Sequence, residues 1–194
     1  APITYSTECG TITELPWNES FDTYGTGSTI YPLCWSRLYN ATTANPYIIS
    51  TNFSSPGSMY FTAASGKNSF AITPQFDASI PISSLSAKFQ LRTGNGTSNI
   101  IVGVLTNPAD SLSFTAIDTL MPTASSTWQE FEVNFADYSG NGQYIAFKSE
   151  YNTATNTCYI DDLTVYTTPS CERPIAISAS SATNSITVNV TPAE

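Results

Sequence analysis

The segment Leu85-Ser86-Ala87-Lys88-Phe89-Gln90-Leu91-Arg92 alternates apolar and polar residues without error and then meets the turn sequence Thr93-Gly94-Asn95-Gly96. A period of two sets Leu85, Ala87, Phe89 and Leu91 on one face of a strand, against a core, and leaves the polar four in water. Asn99 to Leu105 is more uniformly apolar, so the two segments read as a hairpin between a half-exposed and a better buried strand. Further strands are predicted at Trp17 to Phe21, Cys34 to Tyr39, Tyr47 to Ser50, Ser58 to Thr62, Ser69 to Thr73, Ser113 to Thr119, Thr127 to Phe135, Gln143 to Ser149 and Cys158 to Tyr166. No segment sustains a capped 3.6-residue apolar period. Single helical turns are expected around Pro81 to Leu85 and Phe135 to Tyr138. Ser, Thr and Asn supply 68 of the 194 residues and Lys plus Arg only six, which favours hydroxyl-studded strands over salt-bridged helices. The expected class is all-β.

At Thr167-Thr168-Pro169-Ser170 the pattern breaks, dividing residues 1–168, enough for one sandwich or barrel, from a tail at 169–194. The tail restarts with short alternations, Ile175 and Ile177, then Ile186, Val188 and Val190. So few residues bury no core of their own, so they either pair along the main sheet or begin a second β domain.

A net charge of −9, with no run of Lys or Arg, repels phosphate backbones and argues against a nucleic-acid partner. No apolar stretch reaches the roughly 20 residues that span a bilayer, so no membrane insertion is expected. A chain that opens at Ala1 without a charged or apolar leader reads as a mature segment of an exported protein. Cys9, Cys34, Cys158 and Cys171 lack zinc-site spacing, and with no His the mixed Cys/His sites are excluded. Disulfides and buried free thiols both remain open, as do the three pairings of four cysteines.

Taken in order, several motifs resemble a known series: Leu15-Pro16-Trp17-Asn18-Glu19-Ser20-Phe21-Asp22, Pro32-Leu33-Cys34-Trp35 and Val102-Gly103-Val104-Leu105-Thr106-Asn107-Pro108, then Trp128-Gln129-Glu130-Phe131, Gly142-Gln143-Tyr144-Ile145-Ala146-Phe147 and Tyr159-Ile160-Asp161-Asp162. Over about residues 9 to 168 the chain is similar to the MAM-like, cleaved-adhesin (choice-of-anchor) jelly-roll module of bacterial surface proteins. The resemblance implies a jelly-roll β-sandwich, concanavalin-like or galactose-binding-like, on a secreted or cell-surface protein. Its partner would be a glycan or surface glycoprotein. The tail, Pro169-Ser170-Cys171-Glu172-Arg173-Pro174 with Ser185-Ile186-Thr187-Val188-Asn189-Val190, is similar to the opening of a neighbouring fibronectin type III-like domain. Such modules also serve as accessory parts of secreted hydrolases and proteases, or as spacers in surface stalks.

The chemistry of the residues points away from catalysis. Without His there is no Ser-His-Asp or Cys-His arrangement, and no Ser stands three residues before Lys67, Lys88 or Lys148. Glu130 and Glu132 share a strand face about 7 Å apart, near glycosidase separations. Their row, with Trp128 and Asn134, is opposite Phe131, Val133 and Phe135, so both acids are expected in water. No catalytic residue is assigned. For a sugar, exposed aromatic faces beside hydroxyls and amides are needed, and the candidates are Trp128, Tyr151 and Trp35.

One acid falls inside a strand. Strand periodicity sets Asp161 on one row with Tyr159, Leu163 and Val165, where an unpaired carboxylate costs several kcal/mol and only six cations exist to neutralise fifteen acids. A structural calcium ion is the expected answer. Periodicity also sets Glu19 inward beside Trp17 and Phe21, whereas the resemblance implies Asp22 as the partner of Asp161. The candidate metal ligands are therefore Asp161, Asp22 and Glu19.

Overall fold

The structure, a computed structural model, describes residues 9–40, 45–151, 154–169, 176–183 and 185–191. The expected strands form in order: β1 Trp17–Glu19, β2 Ser36–Tyr39, β3 Tyr47–Ile49, β4 Ser58–Ala63, β5 Asn68–Ile72, β6 Leu85–Thr93, β7 Ile100–Leu105, β8 Phe114–Leu120, β9 Gln129–Asn134, β10 Tyr144–Glu150 and β11 Asn156–Thr167. A 3₁₀ turn at Ile82–Ser84 sits where a helical turn was expected, and a second, at Ser111–Ser113, is capped by the Asp110 carboxylate.

The strands make a jelly-roll sandwich of two antiparallel sheets. One runs β3-β4-β11-β6-β9, with β1 also on β11, and the other runs β2-β5-β10-β7-β8. Between them Phe61, Phe89, Leu91, Ile160, Leu163 and Val165 meet Ala71, Val102, Val104, Ile145 and Phe147. Phe89 and Phe147 touch edge to face with centroids 5.2 Å apart. Full burial of each such side chain stabilises by about 1.5–3 kcal/mol. β6 keeps its alternation from Ala87 on, Phe89 and Leu91 inward and Lys88, Gln90 and Arg92 half-exposed, whereas Ser86, expected in water, is buried with its hydroxyl 2.9 Å from that of Thr168.

The expected β6–β7 hairpin does not form, because the two strands lie in opposite sheets. The residues after β6 bond to β11 instead of closing a two-strand turn. Gly94 N–H donates to Thr157 O at 2.9 Å, and the Asn156 side chain accepts from Asn99 N–H and donates back to Asn99 O. These bonds carry the chain across the top of the sandwich. A bare turn sequence does not specify on which side of the core its second strand lands.

In the tail, β12 (Ala176–Ala182) and β13 (Ser185–Thr191) pair with each other as a separate two-stranded sheet and not along the main one. Ile186 and Val188 are exposed.

Cys9 and Cys34 form a disulfide, whereas Cys158 is a free, buried thiol whose Sγ lies 3.0 Å from Asn99 O. Burial pushes that thiol far up. Cys171 lies outside the described residues. The disulfide closes a loop of 25 residues at the entry to β2. In the chain-entropy account, removing it with Cys9→Ser/Cys34→Ser should cost about 3 kcal/mol, read as a lower urea midpoint at unchanged slope. Cys158 should stay unlabelled by thiol reagents until the chain unfolds.

Candidate functional site

β11 is the strand on which the six-stranded sheet is organised, and one of its edges is divided. β4 pairs with Asn156 to Ile160, and β1 takes over at Leu163 to Val165. Between the two lies a bulge. From Asp161 to Thr164 the strand advances three residues while β6 advances two, from Gln90 to Lys88, and Asp162 adopts a left-handed φ of 47°.

The bulge corrects the expected placement of Asp161. Cys158, Ile160, Leu163 and Val165 face the core, while Tyr159 and Asp161 share the outer face, so the row expected to join Asp161 to Leu163 and Val165 is broken. A strict period of two cannot survive an extra residue. Asp161 is nonetheless fully buried, because the loop of residues 50–57 folds over it. Its Oδ2 accepts N–H bonds from Phe53 at 2.7 Å and Ser54 at 3.1 Å, and its Oδ1 accepts from Asp162 N at 2.9 Å. Burial pushes this carboxyl up to about 6, against the pull of those three N–H groups. Gly57, at the foot of the loop, passes so close to β3 that a Cβ there would come within 2.8 Å of Ile48 Cγ2.

The neighbouring acids converge on one hydroxyl. Ser54 Oγ lies 2.7 Å from Asp162 Oδ1 and 3.1 Å from Asp22 Oδ2, yet it has a single proton to donate. The other oxygen of Asp22, Oδ1, is buried without a hydrogen-bond partner. Asp22 arrives there because Phe21, two residues past the end of β1, takes a left-handed φ of 60° and puts its own ring fully into the core. Glu19 is half-buried, as the periodicity of β1 implied. Its Oε1 accepts Phe21 N–H at 2.8 Å and its Oε2 accepts the Tyr24 hydroxyl at 3.0 Å, while desolvation raises its carboxyl above the usual range. Among the described residues no three acidic or thiol side chains gather closely enough to hold a metal by themselves. Any cation here would need the Ser54 hydroxyl or backbone carbonyls as well. The orphaned Asp22 oxygen beside Ser54 and Asp162 fits a hard, oxygen-seeking cation, and Asp162 and Ser54 were not foreseen as donors.

The outer face of this sheet carries a row of aromatics across the strands. Tyr47 on β3 pairs with Tyr60 on β4, Tyr60 with Tyr159 on β11, and Tyr159 with Arg92 on β6. Trp128, just before β9, extends the row. Ring centroids are 5.0 Å apart for Tyr47 and Tyr60, 5.2 Å for Tyr60 and Tyr159, and 6.4 Å for Tyr159 and Trp128. All four rings are half-buried. The Arg92 guanidinium lies 4.9 Å over the Tyr159 ring, and Phe53 of the 50–57 loop packs on Trp128. Beyond Phe53 a cleft of about 540 Å³ is lined by Asn18, Glu19, Lys88, Gln90, Glu130 and Asp162.

Of the aromatic candidates from the sequence, the structure brings only Trp128 into this row. Trp35 is a correction. It is 7% exposed and wedged between Trp17 and Phe21 at 6.0 and 5.5 Å, leaving no face for a sugar. Tyr151 follows β10 of the other sheet, and its N–H donates to Lys67 O. Glu130 is exposed and ion-paired with Lys88 at 3.5 Å. Tyr47, Tyr60, Tyr159 and Arg92 went unnoticed as a set, since only strand register makes them neighbours.

No protein-family model matches the chain, and no curated protein matches it. Solved structures do. The K2 cleaved adhesin domain of Lys-gingipain superposes with a TM-score of 0.60 at 14% identity, covering 78% of this chain and 99% of that one. The K1 cleaved adhesin domain of Lys-gingipain from Porphyromonas gingivalis W83 gives 0.58 at 16% identity, covering 80% and 100%. At this identity the likeness establishes the sandwich fold.

Asp161 gives a pH signature. Its folded-state carboxyl is raised, so the folded chain holds the proton more tightly than the unfolded one, and stability should fall as pH rises from about 4 to about 6. Glu19, also raised, acts in the same direction. In chelator-containing buffer, Asp161→Asn should flatten this slope in melting temperature. Asp161→Ala, which strands buried N–H groups of the loop, should cost about 3 kcal/mol near pH 4, and less as the pH rises past 6, because the variant lacks the carboxyl that makes the wild-type chain lose stability over that range.

Proposed function

We propose that this chain is a non-catalytic adhesion or carbohydrate-binding module of a secreted or cell-surface protein, stabilised by a structural calcium ion. The observation that carries the reading is the half-exposed aromatic row on the outer sheet face, set among threonine and glutamine side chains. Aromatic rings flanked by hydroxyls and amides stack on pyranose faces and bond their hydroxyls. The matched Lys-gingipain structures are adhesin domains, which supports carrying an adhesive role to this chain. The absence of His from the sequence and the ion pairing of Glu130 to Lys88 both speak against hydrolysis.

For calcium, the supporting feature is the acid pair Asp22 and Asp162 around Ser54, with Asp161 fixing the loop that supplies Ser54. Here Asp22 and Asp162 are the ligands we favour, Asp161 the residue that builds the site, and Glu19 the outlying acid. The ion would neutralise two carboxylates and tie the end of β1 to the bulge of β11. It would thereby hold two segments about 140 residues apart in the chain together.

Two experiments test this. A glycan array should return at least one ligand, and turnover of β-glucan or aryl glycosides should be undetectable; turnover abolished by Glu130→Gln would refute the non-catalytic reading. Calcium at a hundredfold excess over its Kd should add about 2.7 kcal/mol of stability, with magnesium ineffective. Asp22→Asn/Asp162→Asn should erase that gain, and equal melting temperatures with chelator and with calcium would rule the ion out.

A further inference from the structure

We propose that the aromatic row is the ligand platform and that its ligand is an acidic saccharide chain, with Arg92 receiving a sugar carboxylate. The proposal rests on the glycan-binding reading above and names its site and ligand class. The row crosses the strands at about 4.8 Å per step, so the rings of Tyr47, Tyr60 and Tyr159 follow one another at close to the length of a pyranose unit, and Arg92 of β6 stands between Tyr159 and Trp128. The rings are inclined to one another by 46 to 67°, and Arg92 already lies on Tyr159, so Tyr47, Tyr60 and Trp128 offer separate apolar contacts to successive sugars of an extended chain instead of one continuous flat face. Next to it the register pairs Thr62 with Thr157, adding a second row that can bond ring hydroxyls.

The charge class comes from Arg92. The sequence has fifteen acids and six bases, and the other bases on these sheets are engaged. Lys88 pairs with Glu130 and Lys148 with Glu150, while Arg37 donates to Pro46 O and stacks on Tyr31 and Tyr39. Arg92 is different. Among the described residues no carboxylate lies within ion-pair distance of it, and its guanidinium rests on the face of Tyr159. A half-buried guanidinium laid on a ring keeps its N–H edge for a planar, bidentate partner, which a carboxylate on a sugar ring supplies and a neutral hydroxyl does not. The net charge of −9 opposes approach of an anion only over long range. At physiological salt that field is screened beyond about 8 Å, so it slows encounter without cancelling a direct pair.

The full chain is titrated with tetramers of galacturonate, mannuronate and hyaluronan, with the same oligomers methyl-esterified at their carboxyls, and with neutral glycans of equal length. The expected result is binding of at least one acidic oligomer, tenfold or more weakened by esterification and weakened by added salt. Arg92→Gln should lose tenfold or more, Arg92→Lys should lose less, and Trp128→Ala should also lose tenfold, each measured on a variant whose melting transition shows it fully folded at the binding temperature. If acidic and esterified forms bind equally, if only neutral glycans bind, or if binding ignores Arg92→Gln, the acidic-ligand assignment is wrong while the glycan-module reading stands. If no glycan of any kind binds, or if only a protein ligand does, both fall.

Discussion

The bulge at Asp161 and Asp162 is the constraint on which the rest of the six-stranded sheet depends. A 12-residue strand serving β4 along one stretch of an edge and β1 along the next needs a break between them. The extra residue provides it. Because it reverses the facing of the strand, Ile160 and Leu163 can both reach the core while Asp161 stays on the outer side. There its carboxylate gathers backbone N–H groups of the 50–57 loop, a strong, charge-assisted way to pin irregular backbone that has no ladder of its own. The loop in turn sets Phe53 against Trp128 and Ser54 between Asp22 and Asp162. One local irregularity thus governs both the acid cluster and the edge of the aromatic row.

The two faces of the sheet follow opposite rules. Inside, Phe89 and Phe147 exemplify close edge-to-face packing where shape decides stability. Outside, Tyr47, Tyr60, Tyr159 and Trp128 hold one another through cross-strand contacts that are each worth only a fraction of a kcal/mol to about 1 kcal/mol. Their combined effect is a half-wet surface ordered by the fold itself, which would lower the entropic cost of binding for the ligand proposed above. The same tyrosines that stabilise the sheet would therefore preorganise the recognition surface proposed above.

The acid cluster shows how burial and pairing compete. Asp161 has three N–H donors and is still pushed up to about 6, so desolvation outweighs hydrogen bonding there. Asp22 keeps one buried oxygen with no partner at all. Placing charge in such a setting is expensive unless a cation joins it, and this strain in the electrostatics, more than any count of acids, singles the site out.

The sequence alone determined the class and the strands. Period-two alternation, turn residues and the shortage of cations left no other way to bury this apolar surface, and all eleven segments of the sandwich were legible because each is a local pattern. The facing of Glu19 beside Trp17, and of Glu130 in water opposite Phe131, was legible for the same reason. Tertiary structure alone decided what depends on distant partners. It set β6 and β7 in different sheets, because bonds from Asn156 and Thr157 of β11 capture the connection. It sank Trp35 into the core, since neighbours from β1 close over it. It moved Asp161 across the sheet, because a bulge leaves no trace in composition or period. It assembled the row of Tyr47, Tyr60, Tyr159 and Arg92, residues scattered over more than a hundred positions, since register between strands is a property of pairing and no single strand carries it.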